Sequence, residues 1–93
     1  MGQVYHMIVS GRVQGVGFRF YTHSVAQSLG VSGWTRNLPS GQVEILARIP
    51  DGKKNQFIEL IRQGPPASSV SGLEVKIADE TPDCPLRGFS IKR

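Results

Sequence analysis

The stretch Gly11-Arg12-Val13-Gln14-Gly15-Val16-Gly17-Phe18-Arg19 places three glycines in seven positions and ends in an arginine. Glycines let a backbone turn sharply and come close to a ligand. If a helix starts at Phe18, its first N–H groups have no intrahelical acceptor and the positive end of its dipole faces the loop. The result is an environment for an anion. Arg19, in the first turn, is able to fold back over it, and its planar fork donates two parallel bonds to phosphate oxygens as no lysine does. The pattern lacks the Lys-Ser/Thr of a nucleotide P-loop. It also lacks the third glycine and later acidic residue of a dinucleotide fold. On these generic features alone, a glycine-rich strand–helix connection carrying a surface arginine is an equally good reading.

A second group is Gly33-Trp34-Thr35-Arg36-Asn37, ahead of the turn Leu38-Pro39-Ser40-Gly41. An asparagine amide there donates to one oxygen and accepts from a water, so it is able to aim that water without acting as a base. Taken alone, Asn37 also reads as a turn-capping residue and Trp34 as a core residue. Arg12 and Arg36 either add to the anion field or are solvated charges. His6, His23 and the single cysteine, Cys84, show no metal-ligand spacing. They read as a strand residue, a helix-surface residue and a packing thiol.

These groups need elements to hold them. Residues 4–10 (VYHMIVS) read as a strand. Phe18, Tyr21, Val25 and Leu29 fall on one face of a helix that Gly30 stops. Phe20 lies on the opposite face, which the periodicity leaves unexplained. Residues 31–37 and 42–49 form a hairpin. Asp51 is suited to cap a second helix, which carries Phe57, Ile58, Leu60 and Ile61 and is ended by Gly64-Pro65-Pro66. Leu73, Val75 and Ile77 mark a fourth strand, and Phe89 and Ile91 a short last one. The order β-α-β-β-α-β predicts an α+β, ferredoxin-like α/β sandwich. It has an antiparallel sheet, two helices on one face and a short extra C-terminal strand. That fold serves enzymes and RNA-binding modules alike.

With 93 residues, 39% apolar and 19% charged, the chain suits one domain, residues 1–93, with one core. No apolar run spans a bilayer, and no secretory leader is expected. One cysteine cannot form an internal disulfide, and a reducing, cytoplasmic setting is expected. The net charge of +4 suits an anionic ligand. An RNA-recognition module would carry aromatics in its central strands, whereas Val43 to Ile49 has none.

The segment Val9-Ser10-Gly11-Arg12-Val13-Gln14-Gly15-Val16-Gly17-Phe18-Arg19 resembles the N-terminal signature of the acylphosphatase family position for position. Gly33-Trp34-Thr35-Arg36-Asn37 with Gly41-Gln42-Val43 is similar to its second signature. The resemblance implies a metal-independent, cofactor-free enzyme. It would hydrolyse acyl phosphates, such as acetyl phosphate, carbamoyl phosphate and 1,3-bisphosphoglycerate, to carboxylate and inorganic phosphate. It implies a phosphate cradle from Gln14, Gly15, Val16, Gly17, Phe18 and Arg19, with Arg19 and Asn37 catalytic and Asn37 orienting the water. Inorganic phosphate or sulfate would be a product-like ligand, with no nucleic-acid or membrane partner and a monomeric chain. The sequence departs from the family at Thr35, usually a small apolar residue. It departs again in having no glycine between Val43 and Gly52, which bears on the loop before the second helix. A phosphate-sensing domain that keeps the cradle without turnover is the alternative, beside a nucleic-acid-binding module. Acylphosphatase-like modules also occur in larger carbamoyl-phosphate-using maturation proteins. The short chain without zinc-finger cysteines suits a free-standing enzyme.

Overall fold

The computed structural model describes residues 2–93. Its elements are β1 (Gln3–Arg12), α1 (Phe18–Leu29), β2 (Ser32–Asn37), β3 (Val43–Ile49), α2 (Lys54–Gln63), β4 (Ser69–Ile77) and β5 (Phe89–Ile91). Gly30 ends α1 in the left-handed conformation, as the sequence suggests. Asp51 does not cap α2. It belongs to a turn in which Lys53 N–H donates to Pro50 C=O at 3.0 Å, and Lys53 occupies the cap position with no side-chain bond. The turn takes up Asp51 before the helix begins. β4 starts four residues before the apolar alternation at Leu73, because Val70 and Ser69 continue the ladder to Gly11 and Arg12 of β1 beyond a register shift at Ser10/Gly11.

The five strands lie in the order β4-β1-β3-β2-β5. β1 and β3 are central and antiparallel, and each β-α-β crossover skips one strand, so the two units interleave. The sheet is mixed rather than purely antiparallel, because β5 runs parallel to β2. β4 ends beside the start of β1, at the same end of the sheet where β2 begins. Residues 78–88 cross there to the far edge, so β5 enters in the direction of β2.

Both helices cover one face of the sheet. Tyr5, Met7 and Val9 of β1 and Val43, Ile45, Ala47 and Ile49 of β3 pack there against Phe18, Val25 and Ala26 of α1 and Phe57 and Ile61 of α2. Burial of these side chains supplies the main driving force for folding. A smaller cluster on the other face joins Val4, Trp34, Leu46 and Cys84 under the 78–88 crossing. Two devices fasten the crossing. Trp34 Nε1 donates to Asp83 C=O at 3.0 Å, and the buried Arg48 guanidinium grips Glu80 with two nitrogens while donating to Cys84 C=O. Burial raises the Cys84 thiol above its ordinary pKa, against a smaller lowering by Arg48, which suits the packing role read from the sequence.

On the same outer face Glu44 accepts from Arg36 Nε and lies 2.7 Å from His6 Nε2, while Arg36 and Lys92 flank the Trp34 ring. Burial alone would raise the Glu44 carboxyl. The hydrogen bonds and charges of His6 and Arg36 together outweigh it and hold the group below its usual value. A carboxyl depressed in the folded state stabilises the fold above the ordinary carboxylate range, and that contribution disappears as pH falls through the folded value. Glu44→Gln is therefore expected to cost about 1 kcal/mol at neutral pH. It should also flatten the loss of stability on acidification, as read by urea unfolding between about pH 7 and pH 3. Parallel pH curves for the two proteins would contradict it.

Candidate functional site

β1 hands the chain to α1 through residues 13–17, and the sequence shapes that loop for exposed amides. Gly15 and Gly17 both have positive φ, 73° and 79°. A Cβ at either would find no protein atom within 4 Å, so backbone conformation rather than crowding calls for glycine. Gly17 is the N-cap of α1, yet no side chain caps the helix and no acidic residue stands in its first turn. The first intrahelical bond runs from Tyr21 N–H to Gly17 C=O, leaving the amides of Phe18, Arg19 and Phe20 without an intrahelical acceptor. Among the described residues, none accepts from the amides of Gly15 to Gly17 either. Free first-turn amides and the positive end of the helix dipole together make a setting that suits an anion.

Arg19 is half-buried, and one Nη donates to Lys92 C=O at 3.1 Å. That bond uses one of its five N–H donors. Asn37, the last residue of β2, lies opposite Val43. Its Oδ1 is buried and has no hydrogen-bond partner among the described residues. Buried polar atoms in native folds nearly always find a partner, so this oxygen stands out.

The loop and the Asn37 turn are held together by a glutamine. Gln14 Nε2 donates to Leu38 C=O at 2.8 Å and to Gln42 C=O at 2.9 Å. The turn closes itself through Leu38 N–H to Gln42 C=O, and Gln42 Nε2 reaches back to Ser10 Oγ on β1 at 2.9 Å. Thr35, the departure from the family pattern, is fully buried and donates its hydroxyl to Glu44 C=O at 3.0 Å. The pairing of β2 with β3 thus satisfies the extra hydroxyl.

A cleft of about 670 Å³ opens over these groups, lined by Val13, Gly15, Gly17, Phe18, Arg19, Phe20, Asn37, Ile91 and Arg93. Of the residues singled out in the sequence it brings together Gly15, Gly17, Phe18, Arg19 and Asn37. The Gln14 side chain instead braces the turn, and Val16 packs against the core. Ile91 was legible only as a strand residue. Its alternation with Phe89 was the signal that it faces the helices, but not that it reaches the cleft. Among the described residues no three His, Cys, Asp or Glu side chains are placed to share a metal ion.

The acylphosphatase family profile matches residues 5–91. The chain belongs to the acylphosphatase family. It is 46% identical over 86 residues to an acylphosphatase of Acaryochloris marina, a match spanning 92% of this chain and 89% of the relative. It is 47% identical over 86 residues to one of Chlorobaculum tepidum, spanning 92% and 91%. The crystal structure of acylphosphatase from Bacillus subtilis superposes with a TM-score of 0.88 at 37% identity, covering 97% of this chain and 98% of that one. This acylphosphatase therefore shares the fold of that structure and matches these relatives over most of their length.

The Gln14 brace generates a prediction. Gln14→Ala removes the donor to two half-buried carbonyls and is expected to cost about 1–2 kcal/mol in urea unfolding. It should lower acyl phosphate turnover by more than it lowers affinity for inorganic phosphate, because it loosens the turn carrying Asn37 relative to the loop. A variant with wild-type turnover would show that the turn holds its place without Gln14.

Proposed function

We propose that this acylphosphatase hydrolyses acyl phosphates by direct in-line attack of water on phosphorus, without a metal ion. The amides of the Gln14–Arg19 segment and the Arg19 guanidinium hold the phosphoryl oxygens, and Asn37 positions the water. The observation that supports the reading most is the convergence of Asn37 and Arg19, from separate elements, on one cleft with the glycine loop whose amides have no acceptor in the fold. A side-chain amide beside an anion cradle suits the orienting of a water, because it both donates and accepts hydrogen bonds and takes up no proton itself.

The chemistry asks for little else. The breaking bond joins phosphorus to a carboxylate oxygen, a good leaving group, so catalysis rests on positioning and on neutralising phosphoryl charge. Among the described residues that line the cleft, the ionisable side chains are Arg19 and Arg93, and a guanidinium does not serve as a base near neutral pH. A substrate phosphoryl oxygen accepts the water's proton, and the products are a carboxylate and inorganic phosphate. Inorganic phosphate and sulfate fit the same cradle as product-like ligands. β3 carries no aromatic platform for bases. No described helix is long and apolar enough to cross a membrane. With one buried, reduced cysteine, the reading extends to a monomer working in the cytoplasm, with residues 1–93 forming one domain.

The test is hydrolysis of acetyl phosphate and benzoyl phosphate in excess EDTA by wild type, Arg19→Ala and Asn37→Ala. Wild type should turn over both substrates. Arg19→Ala should lose turnover and inorganic phosphate binding together. Asn37→Ala should lose turnover, on the order of a hundredfold or more, while inorganic phosphate still inhibits binding of substrate. A folded wild type that binds phosphate without turnover would leave a phosphate-sensing domain. In wild type, kcat should show no enzyme ionisation between about pH 5 and pH 8, and a bell-shaped profile there would reveal a base outside this mechanism.

A further inference from the structure

The mechanism uses the polar part of the cleft and leaves one side chain unexplained. Phe20 is 74% exposed. Of the large hydrophobic side chains that the described residues leave exposed, Phe20, Ile77 and Leu86, it is the one that lines this cleft. Its exposure means that it contributes little to the core. Its helical position explains where it goes. Phe20 stands in the first turn of α1, on the face away from Val25 and Ala26, and helical Cα–Cβ bonds lean toward the N-terminus. The ring is thereby carried toward the N-terminal end of α1, where it lines the cleft.

A second apolar side chain meets the same cleft from another element. Ile91 of β5 shares the helix-facing side of the sheet with Phe89, lies in register with Thr35 and is half-buried. Beneath them Val13 and Phe18 are buried and give the cleft an apolar floor. The cleft is thus divided by chemistry. Glycine amides, Arg19 and Asn37 form the polar part, and Phe20 and Ile91 form an apolar wall over an apolar floor.

An acyl phosphate has the same division. Once the phosphoryl group is seated on the amides, the acyl group must leave the cradle along the cleft. We propose that Phe20, with Ile91, forms the acyl subsite and selects acyl phosphates whose acyl group is apolar and large enough to cover the ring, aryl ones above all. The assignment rests on the acyl phosphate reading given above and adds the substrate class. An aromatic acyl group gains contact with a side chain that has only two torsions to restrain, and it removes apolar surface from water on both partners. An acetyl group is too short to gain as much. A second phosphate or a carboxylate on the acyl chain finds Arg93 at the rim but gains nothing from Phe20.

The experiment compares kcat/KM for benzoyl phosphate and acetyl phosphate in wild type, Phe20→Ala and Phe20→Leu. Because Phe20 is exposed, both variants should fold, which urea unfolding checks. In Phe20→Ala the ratio of benzoyl to acetyl kcat/KM should fall about three- to tenfold, mainly through KM for benzoyl phosphate. The inhibition constant for inorganic phosphate should stay within about twofold of wild type, since phosphate touches the polar part alone. Phe20→Leu should recover part of the ratio. An unchanged ratio, or equal losses on both substrates, would overturn the subsite. Failure of the underlying reading looks different, because wild type would then hydrolyse neither substrate.

Discussion

The antiparallel pairing of β1 with β3, and of β3 with β2, sets everything near the cleft. Val43 opens β3, and it lies opposite Val9 on one side and Asn37 on the other. The end of β1 and the end of β2 therefore leave the sheet together, although α1 separates them in sequence. The loop that follows β1 and the residue that ends β2 become neighbours as a consequence of register. A slip of one residue would turn Asn37 to the outer face and break the row. The central position of β1 and β3, apolar on the helix side and covered by both helices, makes such a slip costly. Core packing and site geometry are two results of one constraint.

The site takes up groups that folding alone would satisfy. α1 begins without a side-chain cap, its loop amides go unused, and Asn37 keeps a buried oxygen without a donor. Each omission costs stability of the order that a hydrogen bond contributes. The neighbourhood offsets them with bonds that leave the cleft open: Gln14 to the two turn carbonyls, Thr35 to Glu44 and Gln42 to Ser10. These bonds hold the walls of the cleft in place while its own donors stay free. The division accords with the general rule that natural folds break local consistency at functional positions and compensate nearby.

Much of this was legible in the sequence because it depends on local signals. The start and stop of α1, the β2–β3 turn and the three-residue β5 follow from glycine, proline and apolar period. Arg19 and Asn37 stood out by type and spacing, and the family resemblance carried the activity. What was not legible depends on contacts between distant residues. Asp51 has the chemistry of a helix cap, but the turn ending at Lys53 claims it first. The parallel pairing of β5 depends on where residues 78–88 cross the sheet, which Trp34, Arg48 and Glu80 decide together. Gln14 reads as one member of a glycine-rich loop, and only the folded chain shows its amide fork reaching the turn. Phe20 was visible as an anomaly, a large apolar side chain on the wrong face. The cleft beside it is formed by elements far away in sequence.

The interleaved strand order also bears on how the chain reaches this state. β1 is made first, yet its two neighbours are β3 and β4, and Tyr5 lies opposite Ile77. During synthesis β1 must wait, unpaired on its β4 side, until Ser69–Ile77 has emerged. No early hairpin spares it, because its partner in β3 follows a whole helix and another strand. Long-range pairing of this kind slows folding by the loop entropy lost before contacts repay it. For this protein the search for the native state is governed less by its helices than by the closure of the long loops that bring β3 and β4 to either side of β1.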